Sequence, residues 1–133
     1  MEGTFDLFVY GTLKKGQRAE GFLKYANFLG KAVTKDAIFD MQSNNGYYPF
    51  VFLDGNKRIA GEIYRVPMKD LQYLDMYEGY SPDGSGLYLR NTFDYILEDG
   101  QEIKAIMYYQ KYNVKNLKNL TNIGLDGDKL FWK

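Results

Sequence analysis

The chain reads as an α+β fold: a small, mostly antiparallel, β-barrel-like set of strands with one or two flanking helices. Three observations lead there. Apolar stretches are broken by Asp54-Gly55-Asn56 and by Asp99-Gly100, turn chemistry suited to hairpins. Only one segment, PMKDLQYLDMYEG at 67–79, shows convincing helical spacing. The 133 residues, 45% of them apolar, are enough for one core, so a single domain over 1–133 is expected. The 13 Tyr and 9 Phe suit a core or cavity with polar handles.

Taken in order, FDLFVY at 5–10 is apolar nearly throughout, as in a strand buried on both faces. Residues 17–26 form a short helix pattern with Phe22, Leu23 and Tyr25 inward, weakened by Gly21. Residues 28–39 mix β-branched and aromatic side chains and read as one or two strands. SNNG at 43–46 is a turn, with Asn45-Gly46 suited to positive φ. Residues 47–53 and 57–66 then flank Asp54-Gly55-Asn56 as a first hairpin, and 87–98 and 102–109 flank Asp99-Gly100 as a second. Between them, Pro67 suits the first helical turn and Gly79 the C-terminal cap. Met68, Leu71, Leu74 and Tyr77 recur every three residues. Beyond Tyr112 the chain is polar and Asn-rich, and 113–133 reads as a loosely packed tail or a final element. Repeats, linkers and domain boundaries are absent.

Composition excludes several chemistries. With 17 basic and 17 acidic residues the net charge is zero, which argues against binding driven by phosphate neutralisation. There is no Cys and no His. Disulfides, thiolate nucleophiles, Ser-His-Asp triads and most catalytic zinc sites are therefore out, and no metal or cofactor is implied. Acid–base chemistry near neutral pH must use a carboxylate, Lys, Tyr or water. The MEGTFD start lacks a basic and an apolar signal region, and the longest apolar runs fall far short of the roughly 18 residues a membrane span needs. A cytoplasmic monomer is the default expectation.

Two places carry candidate chemistry. In VYGTLKKGQ, Gly11 and Gly16 have P-loop separation, but Gln17 and Arg18 replace the phosphate-reaching Lys and the hydroxyl residue. A nucleotide-triphosphatase reading fails there. An anion-binding concavity of backbone N–H groups remains, beside a plain tight turn with exposed lysines. In LDMYEGY, Glu78 sits at the C-terminal end of the helix pattern. The helix dipole disfavours a charged carboxylate there and raises its pKa, as suits a general base. A solvated glutamate is the bland alternative. Glu62 in GEIY reads as pairing with a strand neighbour or solvent. Arg90 in LYLR is either an inward charge serving a ligand or an ion pair on a sheet face. Tyr108-Tyr109 is expected to place one ring in the core and one on the surface, and DGDK at 126–129 is a turn without the ligands of an EF-hand.

FVYGTLKKGQ, GYYPFV, GEIYRV, LQYLDMYEGY, LYLR and a strand ending AIMYY occur in that order. Together they resemble the γ-glutamylcyclotransferase-like family over about residues 5–110, and the first motif looks most like its γ-glutamylamine cyclotransferase branch. The resemblance implies a cavity between the Tyr10-Gly11-Thr12-Leu13 loop and a catalytic glutamate matching Glu78. It implies release of 5-oxoproline from a γ-glutamyl amine or amino acid. The substrate's own α-amine is the nucleophile, so the missing Ser, Cys and His nucleophiles are no obstacle. Glu78 would act as base and then acid, Tyr10, Gly11, Thr12 and Leu13 would bind substrate, and Arg90 would support them. The expected partner is a small γ-glutamyl molecule, with neither nucleic acid nor membrane. A non-catalytic ligand-binding module on the same fold is the rival. Nucleic-acid binding through Lys14, Lys15 and Arg18 is the weakest reading, given the zero net charge.

Overall fold

The apolar run at the start becomes strand β1 (Thr4–Val9), with Leu7, Phe8 and Val9 all buried, as a strand covered on both faces requires. A computed structural model describes residues 3–11, 26–78, 88–113, 116 and 118–133, and describes Tyr77 and Glu78 for their backbone only. The further strands are β2 (Asn27–Thr34), β3 (Phe39–Ser43), β4 (Pro49–Pro67), β5 (Leu89–Leu97), β6 (Glu102–Tyr109), β7 (Ile123–Asp126) and β8 (Lys129–Trp132). A 3-10 turn, Met68–Asp70, leads into one helix, α1 (Leu71–Glu78). Among the described residues no helix is long and apolar enough to cross a membrane.

Five strands close into a ring. β1 pairs antiparallel with β4 and, at Leu7↔Ile106, parallel with β6. β6 pairs with β5, β5 with β2, and β2 with β4, all antiparallel. Alternation along the strands then sorts the side chains. Phe8 of β1 and Tyr10 just beyond it, Ile59 and Ile63 of β4, Tyr95 of β5 and Met107 and Tyr109 of β6 gather in one core cluster, where Phe8 stacks on Tyr95 at 4.5 Å. Leu7, Val9, Phe50, Tyr64, Val66, Tyr88 and Tyr108 face the other way and pack with Leu74 of α1. The mostly antiparallel α+β reading is thus met, with strands dominant and one short α-helix among the described residues.

Local chemistry explains most elements. The Asp99-Gly100 turn joins β5 to β6 with Gly100 at φ 87°. Asn45 and Gly46 take φ 53° and 83° and turn β3 into β4. Pro67 ends β4 opposite Thr4, since it has no N–H to continue a ladder, and its φ of −58° suits the helical turn that follows. The predicted helix at 17–26 lies outside the described residues.

Two expectations need correction, and one open alternative resolves. Asp54-Gly55-Asn56 is not a hairpin: β4 runs unbroken from Pro49 to Pro67. Its partner on β3 jumps from Lys57 opposite Phe39 to Phe52 opposite Asp40, leaving 53–56 as a wide bulge. Gly55 lacks the positive φ of a tight hairpin turn, and a Cβ on it would run into the carbonyl of Phe39. The glycine serves close backbone approach instead. Tyr108 and Tyr109 are both buried, because β6 is covered on both faces. Of the two readings of 113–133, a loose tail or a final element, the described residues 118–133 bear out the second. β7 and β8 form a hairpin turning at Gly127 (φ 63°), and β8 adds in parallel to β4 at Arg58↔Lys129 and Ile59↔Leu130. Leu130 and Trp132 are buried there, and Arg58 grips Asp128 through Nε and Nη2 at 2.9–3.1 Å.

Candidate active site

The ring brings the end of β1 and the base of α1 onto the same strands. β1 sits between β4 and β6, so the chain enters the Tyr10-Gly11 segment from a strand fixed on both sides. Tyr10 is buried, and its hydroxyl donates to the Tyr108 carbonyl of β6 at 2.5 Å. Its ring stays on the core side, 6.4 Å from Phe8. Gly11 meets the GYYPFV motif: a Cβ at Gly11 would stand 2.8 Å from Pro49 Cγ. Gly61 has a similar role on β4, where a Cβ would collide with the carbonyl of Val9. Thr12 and Leu13 lie outside the described residues.

On the opposite face of the ring, α1 is pinned by Leu74, whose side chain is 1% exposed and packs with Leu7, Val9 and Tyr108. Burying one leucine contributes about 1.5–3 kcal/mol, enough to dock a helix of two turns where propensity alone is marginal. The next residue, Asp75, is the polar anchor. It accepts from the Tyr108 hydroxyl at 2.5 Å, and both its oxygens accept from Arg90 Nη1 at 3.0 Å. Arg90 and Tyr108 stand directly opposite each other across the β5–β6 ladder, which is why both reach one carboxylate. Side chains of Arg90 and Asp75 are 24% and 22% exposed. An ion pair so partly desolvated is held more firmly than one in open water. Glu78 closes α1, three residues after Asp75; its side chain lies outside the described residues.

Arg90 is therefore bound into an ion pair that ties α1 to the sheet. Glu62, 9% exposed on β4 opposite Val9, accepts from the Tyr64 hydroxyl at 3.2 Å, a strand neighbour as expected. Asp75 and Tyr108 were not singled out as site residues. The trace of the first was an aspartate three residues before Glu78 on one helix. The second was visible only as half of a tyrosine pair.

A family model for γ-glutamyl cyclotransferase, AIG2-like, matches residues 7–125. The chain belongs to this family, and the family match together with its relatives makes it an enzyme of the γ-glutamylcyclotransferase class. The match takes in the six motifs that carry the resemblance and runs into β7. A protein of Methanocaldococcus jannaschii named as a putative γ-glutamylcyclotransferase is 39% identical over 106 residues, 77% of this chain and 82% of the relative. A zebrafish (Danio rerio) γ-glutamylaminecyclotransferase C is 37% identical over 82 residues, and the match takes in 54% of its length. Among solved structures, an AIG2-like protein from Mus musculus superposes with a TM-score of 0.69 at 27% identity, covering 84% of this chain and 81% of that one.

Proposed function

We propose that the protein releases 5-oxoproline from γ-glutamyl amines, with γ-glutamyl amino acids as the second substrate class. The observation that carries this reading is that Tyr108 ties both halves of the motif set together: its carbonyl holds Tyr10, and its hydroxyl holds the helix that ends in Glu78. Similarity to the zebrafish γ-glutamylaminecyclotransferase favours an amine as leaving group.

In the proposed reaction Glu78 takes a proton from the substrate's α-ammonium. The freed amine attacks the γ-carbonyl carbon, closing a five-membered ring through a new C–N bond. The carbonyl oxygen becomes an oxyanion, for which the backbone N–H groups of Gly11, Thr12 and Leu13 are the donors. The tetrahedral centre then collapses, the bond to the leaving amine breaks, and Glu78 returns the first proton to that amine and then passes on the second from the ring nitrogen, so the ring keeps one N–H and the amine departs as an ammonium. No protein nucleophile is needed, because a well-oriented intramolecular attack reaches effective molarities on the order of 10⁵ M or more. Tyr10 walls the cavity, and Arg90 contributes through Asp75. The proposal includes one domain over 1–133, a cytoplasmic setting and a monomer; sedimentation checks the last.

The test is incubation with γ-glutamyl-ε-lysine, γ-glutamyl-alanine and glutathione, with 5-oxoproline quantified. Product is expected from γ-glutamyl-ε-lysine, and Glu78→Gln is expected to lower kcat about 10²-fold or more. No product from any substrate, or full turnover by Glu78→Gln, overturns the reading. Tight binding of 5-oxoproline without turnover would favour the non-catalytic module instead.

A further inference from the structure

Resting on that reading, we propose that Tyr108 is the positioning residue that sets the distance between the substrate loop and the helix carrying Glu78. Two short hydrogen bonds meet at this one residue, one at its backbone and one at its side chain. Its backbone carbonyl accepts from Tyr10, the last residue before Gly11, and its phenol donates to Asp75, one helical turn before Glu78. Both are 2.5 Å long, and the second is a charge-assisted O–H···O⁻ bond, among the stronger kinds. Tyr108 itself is 3% exposed and lies within β6, paired on both sides, so it has little freedom to drift.

The surroundings make the phenol an alignment device more than a packing element. Leu74 already supplies the apolar contact between α1 and the ring, so a phenylalanine at 108 would fill the same space. Arg90 already neutralises Asp75 through two contacts at 3.0 Å. The phenol adds a third direction of restraint. Arg90 is part-exposed and long, and guanidinium alone lets the carboxylate slide along its edge. A donor rooted in the neighbouring strand fixes which way the helix end points. Small displacements matter here, because a reacting group misplaced by about 1 Å costs on the order of 10²-fold in rate.

Steady-state kinetics of 5-oxoproline release test this on wild type, Tyr108→Phe, Asp75→Asn and the double variant, with thermal unfolding followed in parallel. Tyr108→Phe keeps the ring and the carbonyl that holds Tyr10. It is expected to lower kcat about 10-fold or more while KM stays within about twofold and Tm within about 5 °C. Asp75→Asn is expected to show the same split. The double variant should be no slower than the slower single, because both changes sever one link. Removing the exposed Lys104–Asp94 ion pair on the same two strands with Lys104→Gln should leave kcat unchanged. The inference is overturned if Tyr108→Phe keeps kcat within twofold, if its defect appears in KM alone, or if the two singles multiply. Should Tyr108→Phe not fold, Asp75→Asn against its own Tm decides the matter. An active wild type, an inactive Glu78→Gln and a fully active Tyr108→Phe would remove this inference and keep the proposed function. An inactive wild type would remove both.

Discussion

Replacing Gly11 with alanine probes how closely the substrate loop is fitted to the rest of the site. The φ of Gly11 lies outside the left-handed region, so backbone permissiveness is not what the position demands. Space is. The new Cβ would stand 2.8 Å from Pro49 Cγ and 2.9 Å from Pro49 Cδ. Unbonded carbons settle about 3.5–4.0 Å apart, leaving an overlap of roughly 0.7 Å. Pro49 yields poorly, since its ring is rigid and its backbone opens β4 in register with Ser43. If the overlap is absorbed as strain, folding stability falls by about 1–3 kcal/mol. If the loop moves aside, stability is largely kept and alignment is lost. A shift approaching 1 Å then costs on the order of 10²-fold in rate, or about 2.7 kcal/mol of barrier. Gly11 lies beyond Val9, the last residue of the β1–β4 ladder, which would otherwise resist its movement, so the second route is the expected one. The assay is 5-oxoproline release beside a thermal melt. Gly11→Ala should lose about 10- to 100-fold in kcat while Tm falls by only a few degrees. Adding Pro49→Ala, which deletes both clashing carbons, should return much of that loss. Unchanged kcat in Gly11→Ala, or a double variant no better than the single, would refute the reasoning.

Three other outcomes are expected. Tyr95 is fully buried with no hydrogen-bond partner for its hydroxyl among the described residues, and burial pushes its phenol well above the usual value of 10. Tyr95→Phe should therefore be neutral or stabilising by up to about 1 kcal/mol in urea denaturation, and a clear loss would contradict this. The hydrogen bond from Arg58, more than its charge, holds Asp128 below the ordinary carboxylate value of 3.8. A lowered folded-state pKa means stabilisation present above about pH 4 and lost as pH falls through the folded value. Tm measured from pH 6 down to 3 should drop more in wild type than in Asp128→Asn; parallel curves would argue against it. Leu74→Ala empties the apolar contact under α1 and should cost about 2–5 kcal/mol, read by denaturation, with turnover falling further than the folded fraction explains.

How far the sequence could be read depended on how local each cause was. Pro67, the three-residue spacing of Leu71 and Leu74, and Asp99-Gly100 act within a few residues, and their elements formed where expected. Asp54-Gly55 carries the same chemistry as Asp99-Gly100 but ended differently. Its fate was decided by the Phe39 backbone packed against it, a partner some fifteen positions away that local turn rules do not see. The burial of Tyr108 was missed for a similar reason, since α1 covers the outer face of β6 only after docking. Within the site, the pairing of Arg90 with Tyr108 was only nearly legible: a two-residue Asp99-Gly100 turn sets Arg90 opposite Tyr109, and the observed turn over Glu98-Asp99-Gly100 moves the partner to Tyr108. Their convergence on Asp75 was not legible, because it requires the orientation of a helix from elsewhere in the chain.

The length of β4 has a consequence for how the molecule assembles. This one strand pairs with β1, β2, β3 and β8, so contacts reaching from Thr4 to Leu130 all converge on residues 49–67. Among the described residues, only the β3–β4 turn and the β5–β6 and β7–β8 hairpins can form from neighbours in sequence. Val9 must find Glu62, and Arg58 must find Lys129, before the ring and its final hairpin are in place. Large loops therefore close early in folding, with few contacts yet to reward them, and refolding belongs in the slower range of milliseconds to seconds. Substitutions at Ile59 or Ile63, in the middle of β4, should slow refolding more than equally buried changes in the β7–β8 hairpin, making this strand the scaffold on which the other strands register.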